Sequence, residues 1–568
     1  MKKNLSSNFN LLVLLLILFG INWLASVFHA RLDLTKEKRY TLSKATKDLL
    51  KNLDDQVRIE VFFKGNYPAG FKKIVNSVQE FLQEAREYAH GNIEIRYSDP
   101  LKNFANDSLA KPFVDSMANY YDIAPYTIQA PSKVGDEISI KQVLPGAVIQ
   151  YKDVSVGVNL FKGIKNYGTE QEQLAALYND VESTLEYKFA SAIEKAASTS
   201  KPVVAYVLGN GEAFGYNVND AYVTLRQNYN TDTFNLQKEP YIPSSINALV
   251  ILKPTIPFTD QDKLKIDQYV MRGGKIFWMI DNMYAEFDSL RNSRGFIAFD
   301  RGLNLEDILF RYGVRLNENL LQDMQCDKLG QIDPNTRQTR LVDWPFFPVL
   351  NGTNHPISKN LDGVRAMFPN TLDTVKADGI KKTFLLRSSA NARVLTAPAR
   401  IDFEFLQIAP DIKEFTVHDT AVAALLEGKF RSLYSGRIPG SFVDSMNTYH
   451  VPVKDICDST TKMIVVADGD IAMNLVSQQY GPMPMGYNFY TNYTYSNKEF
   501  FSNCLEYLVN PSGILETRAK DFTLRLLDLK KVKEQKTTWQ LINIALPVLV
   551  IMFFGFIYQQ LRRKEYAA

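Results

Sequence analysis

Two apolar runs, one near each end of the chain, constrain the fold more than any other feature. Residues 9–28 carry only Asn10, Gly20, Asn22 and Ser26 among apolar side chains, and residues 539–558 form a second such run. Each is about 20 residues, the length a helix needs to cross a hydrocarbon core of roughly 30 Å. The pattern predicts two transmembrane helices flanking one large domain. The first run is long for a signal peptide, and neither Ala25-Ser26-Val27 nor His29-Ala30-Arg31 is a good small-x-small cleavage site. No cysteine near the start offers a lipid anchor. Two spans put both termini on one side. Charge leaves that side open: Lys2, Lys3, Arg562, Arg563 and Lys564 flank the runs outside, while Arg31, Lys36, Lys38, Arg39, Lys530, Lys531, Lys533 and Lys536 flank them inside.

The stretch between the runs is ordinary globular sequence. Overall the chain is 46% apolar and 22% charged, enough to bury real cores. Its 65 basic and 62 acidic residues leave a net charge of +3, too balanced to argue for nucleic acid. Cys326, Cys457 and Cys504 lie far apart and form no Cys-x-x-Cys motif, which favours buried free thiols.

Periodicity predicts α/β structure throughout. Val57, Ile59, Val61 and Phe63 alternate with polar residues, as in a strand. Phe71, Ile74, Val75, Val78, Phe81, Leu82, Ala85 and Ala89 recur at helical spacing and stop at Gly91. Ile93, Ile95 and Tyr97 form the next strand, completing a strand–helix–strand unit. A hairpin is expected over 147–160, turning at Lys152-Asp153, then a helix over 169–197 opened by the capping-box sequence Thr169-Glu170-Gln171-Glu172. Residues 198–202 mark a domain boundary. Beyond it, apolar strands at 203–208, 248–252, 276–280 and 462–467 alternate with helices at 221–229, after Thr259, and at 497–508. This predicts a doubly wound parallel sheet covered on both faces. The expected segments are 1–30 (membrane helix), 31–200 (first α/β domain), 201–512 (second α/β domain, with an inserted subdomain near 285–455), 513–537 (juxtamembrane) and 538–568 (membrane helix and tail). The Leu, Phe, Lys and Arg mixture of 514–536 suits either a membrane-surface segment or a plain linker helix.

No motif for catalysis stands out. There is no G-x-x-x-x-G-K-[ST] loop, and Gly273-Gly274-Lys275 precedes a strand rather than a helix. Gly209-Asn210-Gly211 follows a strand but lacks a third glycine, so it reads as a tight turn. His29, His90, His355, His418 and His450 show no metal-ligand spacing. No strand end of the second domain offers a Ser or Cys nucleophile. Glu212, Asp281, Asp468 and Asp470 are expected at the carboxyl edge of one sheet, where such folds bind ligands. They form the candidate ligand edge, either a cation site or a set of turn formers and helix caps. The expectation is a membrane-anchored α/β protein that acts by binding, with no catalytic residue, cofactor or metal assigned.

Several segments resemble the gliding-motility protein GldG and its ABC-transporter auxiliary relatives. They are Arg39-Tyr40-Thr41-Leu42-Ser43, the 57–63 strand with Pro68, Ser98-Asp99-Pro100, the stretch from Thr259-Asp260 to Gly273-Gly274-Lys275-Ile276, and Val465-Val466-Ala467-Asp468-Gly469-Asp470. Asn497-Lys498-Glu499-Phe500-Phe501 with Asn503, and the tail with Arg525, Leu527, Trp539, Pro547 and Arg562-Arg563-Lys564, agree. The resemblance spans nearly the whole chain through order and spacing. It implies a periplasmic central region, cytoplasmic termini, a bacterial inner-membrane location, and partnership with a GldF-like polytopic permease and a separate GldA-like ATPase, in Bacteroidetes gliding and associated secretion. It also implies a thioredoxin-like first domain without its cysteines and a flavodoxin-like (amidotransferase-like) second domain. The alternatives are an envelope ligand- or glycan-binding protein independent of a transporter, and a degenerate hydrolase.

Overall fold

The computed structural model describes residues 13, 16–20, 22, 41–65, 67, 69–131, 138–161, 170–198, 200–293, 295–332, 337–403, 411–519 and 529–566. The first apolar run therefore lies mostly outside the described residues, as do Arg39, Tyr40, Pro68 and Thr169. Two compact units emerge, residues 1–520 and 521–568.

The first unit opens with helix α1 (Lys44–Lys51), capped by Ser43, whose hydroxyl accepts from the Thr46 amide at 3.1 Å. Strand β1 (Val57–Val61), helix α2 (Ala69–Tyr88) and strand β2 (Ile93–Tyr97) follow as expected, with β1 and β2 parallel. Helix α3 (Asp107–Tyr121), which contains Pro112, is an element the sequence pattern did not predict. The hairpin β3 (Gly146–Tyr151) and β4 (Val154–Asn159) turns at Lys152, which takes a left-handed φ of 52°. The sheet order is β2-β1-β3-β4, with β3 antiparallel to both neighbours. Helix α4 (Glu170–Ala197) sends Val181, Leu185, Phe189 and Ile193 into its core.

The second sheet begins with β5 (Val203–Leu208), helix α5 (Asn219–Asn228), β6 (Asn230–Asn235) and β7 (Ala248–Leu252). Helix α6 (Asp260–Met271) and strand β8 (Lys275–Met279) come next. Thr259 caps α6 in a full capping box with Asp262. Strands β9 (Cys326–Ile332), β10 (Thr339–Gly352), β11 (Ile380–Arg387), β12 (Ala421–Gly428) and β13 (Thr461–Val466) complete the sheet, and helix α7 (Asn497–Val509) packs on it. The strand order is β6-β5-β7-β8-β13-β12-β11-β10-β9.

The β6-to-β13 part is wholly parallel, and all five residues of β7 are buried, as strands covered on both faces require. The remaining strands run antiparallel. The protein is thus a mixed α/β fold with a parallel-rich sheet rather than an all-parallel one. Much of the expected insertion at 285–455 is the sheet itself, continued through β9 to β12. Small two- and three-stranded sheets, such as Gly295–Asp300 with Ala399–Asp402, surround that half.

Residues 514–519 form a 3-10 turn with Ile514, Leu515, Thr517 and Arg518 buried, so this part of the expected juxtamembrane segment belongs to the globular unit. Residues 520–528 lie outside the described residues. In the second unit, helix α8 (Leu529–Tyr566) is continuous. Its 29-residue stretch Gln535–Arg563 is long and apolar enough to cross a membrane, spanning roughly 44 Å at 1.5 Å per residue. Among the described residues it is the one such helix, so the second of the two expected spans is seen and the first is not.

Candidate functional site

Parallel pairing fixes where the chemistry collects. Leu252 pairs with Met279, and Met279 with Val466, so the residues just after β7, β8 and β13 share one edge. The ladder extends one step beyond the strands: Lys253 N–H donates to Met279 O at 2.8 Å, and Ile280 N–H to Val466 O at 2.9 Å. Lys253 then turns with a left-handed φ of 49°. Gly469 makes this possible, because a Cβ there would sit 2.7 Å from Lys253 Cβ.

Three of the four predicted acids meet here. Asp281, Asp468 and Asp470 offer oxygens within 4.8 Å of one another. Lys253 Nζ lies 2.5 Å from Asp470 Oδ1, 3.1 Å from Asp281 Oδ2 and 3.1 Å from Glu286 Oε2. Glu286 is also paired with Arg301. Backbone amides take the other lone pairs. Gly469 N–H donates to Asp281 Oδ1 at 2.5 Å, Asp470 N–H to Asp468 Oδ1 at 2.7 Å, and Met367 N–H to Asp468 Oδ2 at 2.7 Å.

Burial opposes the lysine charge, but Asp281, Asp470 and Glu286 outweigh it and hold the Lys253 pKa well above the ordinary range. Burial pushes Asp468 well up, aided by its acidic neighbours. Burial likewise raises Asp470 to about 7, against the pull of Lys253. Four acids face two cations, so the cluster keeps a proton near neutrality. Asp281, Asp470 and Glu286 are turned onto an ammonium of the chain itself. Sequence reasoning overlooked Lys253, Glu286 and Arg301; a lone lysine directly after the apolar strand 248–252 was the available signal.

Glu212 sits apart, at the end of β5. The chain runs from β5 to β6 on one side and returns to β7 on the other, so β5 and β7 flank the reversal of strand order where open α/β sheets bind ligands. There Asn210 N–H donates to Glu212 Oε2 at 2.8 Å, and the buried Glu212 Oε1 and Asn210 Oδ1 find no hydrogen-bond partner among the described residues. Gly211 takes φ 72° with the Thr255 hydroxyl against it, which leaves no room for a side chain. Phe214, Tyr216 and Ile256 are exposed nearby.

Burial raises the Glu212 carboxyl to about 7. The native state therefore binds a proton that the unfolded chain releases. The resulting stability is complete below about pH 4.5 and is lost as pH rises to about 7. Glu212→Gln, which stays neutral, should gain on the wild type by up to about 3 kcal/mol between pH 4.5 and pH 8. Urea unfolding at the two pH values measures this; a pH-independent difference would show that Glu212 is ionised throughout.

The three cysteines are free thiols, with Cys457 and Cys504 buried. Residues 201–504 match the family model described as an ABC-type uncharacterized transport system. Residues 36–150 match a domain of unknown function. An uncharacterized protein of Borreliella burgdorferi is 20% identical over 99% of this chain and 100% of its own length. Among solved structures, the mmIFT52 N-terminal domain is 14% identical with a TM-score of 0.31, covering 54% of this chain and 97% of that one. A putative ThuA-like protein from Parabacteroides merdae is 10% identical with a TM-score of 0.24, covering 55% and 91%. The family match covers more than half of the chain, and the chain belongs to the family of ABC-type uncharacterized transport systems, as an auxiliary component.

Proposed function

We propose that the chain is a non-catalytic, membrane-anchored subunit of a GldG-like, gliding-motility-associated ABC-type transporter complex. In this reading two spans hold a periplasmic domain at the bacterial inner membrane, both termini are cytoplasmic, and a GldF-like permease and a GldA-like ATPase are the partners. The first sheet order, two parallel strands beside an antiparallel hairpin, supports a thioredoxin-like unit; all three cysteines lie outside it. The parallel half of the second sheet supports a flavodoxin-like unit.

The observation that carries the non-catalytic role is the ion cluster at the carboxyl edge. Lys253 is tied to three carboxylates with almost no exposure, where a working site of such a fold would keep its polar groups open to a ligand. Helix α8 presents apolar side chains on every face over its membrane-length stretch, which suits packing against lipid and a partner's helices. Asn543 and Pro547 are candidate contacts there.

Purification of the tagged protein in mild detergent from its native membrane, with mass spectrometry of what accompanies it, tests the proposal. A permease and an ATPase at near-stoichiometric yield are expected. Isolation as a stable monomer would sink it.

A further inference from the structure

A cleft of about 790 Å³ opens in the antiparallel half of the second sheet, away from the residues discussed so far. Its walls come from Met324-Gln325, from the end of β10 with residues 353–354, from Arg387 with residues 388–391, and from Asp419. The size suits a ligand, and the lining divides about evenly between polar and apolar surface.

The cleft is held in shape from below. The wholly buried Asp323 carboxylate accepts from Gln325 N–H at 2.8 Å, Ser389 N–H at 2.6 Å and Ser389 Oγ at 2.5 Å, tying the two walls together. Gln325 Nε2 spends both hydrogens, on Val349 O at 2.8 Å and Asn351 Oδ1 at 2.9 Å. This relay leaves Gln325 Oε1 as an acceptor and Asn351 Nδ2 as a donor, neither used by another described residue. Arg387 places its guanidinium carbon 4.6 Å from the Phe384 ring centroid and gives Nη1 to Asp419 O at 2.7 Å. Its remaining N–H groups are unpaired among the described residues. Asn354 and Asn391 add exposed amides.

Two amides held together by a hydrogen bond, one with a spare acceptor and one with a spare donor, match neighbouring hydroxyls, each of which both gives and takes a hydrogen bond. The lining carries one cation, Arg387, and one carboxylate, Asp419, which favours a ligand without net charge, and its even mix of polar and apolar surface suits one that presents both hydroxyls and C–H faces. We propose that this cleft binds a saccharide, with Gln325 and Asn351 on adjacent hydroxyls and Arg387 on a further oxygen. The site does not depend on which membrane proteins the chain joins.

Calorimetric titration of the full-length protein in detergent with maltohexaose, chitohexaose and an alginate hexamer tests the proposal. At least one should bind with a Kd of about 1 mM or tighter. Asn351→Leu and Arg387→Met should each weaken that binding about three- to ten-fold, with Asn351→Leu leaving the unfolding midpoint unchanged. Phe214→Ala, distant in the fold, should not affect it. Retention on peptidoglycan sacculi, lost in Asn351→Leu, would mark an envelope polymer as the source; hexasaccharide binding without retention would mark a free oligosaccharide. No binding of any saccharide at about 10 mM, together with no retention on sacculi, overturns the proposal. So does binding that survives both substitutions.

Discussion

Lys253→Met is expected to destabilise the globular unit by about 3–5 kcal/mol, the cost of removing one partner from a buried ion pair. The substitution leaves Asp281, Asp468, Asp470 and Glu286 facing one another with only Arg301 to answer them. Asp468 and Asp470, already raised by burial, lose the lysine that opposes their protonation, so their folded-state values rise further. A raised acid stabilises at low pH and loses that contribution as pH climbs through its folded value. The deficit should therefore be smallest near pH 5 and largest near pH 8. Urea unfolding followed by tryptophan fluorescence suits the measurement, since Trp278 lies wholly buried in β8. A loss under about 1 kcal/mol, or one equal at both pH values, would mean that the lysine is a bystander.

Asp327→Ala should be comparably severe and opposite in sign of charge. Asp327 Oδ2 lies 2.5 Å from Arg365 Nε, while Oδ1 accepts from Asn488 Nδ2 at 2.6 Å and Tyr495 OH at 2.9 Å. The carboxylate joins β9 to the loop that follows β13. Its removal strands a guanidinium that is about nine-tenths buried over Phe347, again at about 3–5 kcal/mol. Adding Arg365→Met should recover part of the loss, because the uncompensated charge goes with it. A double variant no better than Asp327→Ala would place the whole cost in the Asn488 and Tyr495 hydrogen bonds instead.

Local physics made half of this molecule readable. Strands β1, β2, β5 and β7 carry their apolar residues at the right period, and Thr259 with Asp262 announces α6. The rest was hidden for identifiable reasons. Strand β12 reads Ala-Val-Ala-Ala-Leu-Leu-Glu-Gly, a composition that favours helix; between β11 and β13 the sheet overrides that preference. Strand β10 contains Pro345 and Pro348, which mask a 14-residue strand. At the site, strand ends predicted three acids correctly as neighbours, since parallel register places them together. Glu212 was grouped with them, but it makes its own contacts at the next strand end. Lys253 and the Gln325–Asn351 relay depend on contacts between distant segments, which no local pattern encodes.

Helix α4 belongs to both sheets. Phe189 and Ile193 pack in the first core, while Tyr187 reaches the second and lies 5.1 Å from the Arg518 guanidinium. Glu194 Oε2 accepts from Asn510 Nδ2 at 2.6 Å, just beyond α7. A 28-residue helix is a stiff rod of roughly 42 Å. A load applied to one sheet is therefore delivered to the other along a shared axle, with little slack in between. A pull at the first sheet would reach the second where Tyr187 meets Arg518 and Glu194 meets Asn510.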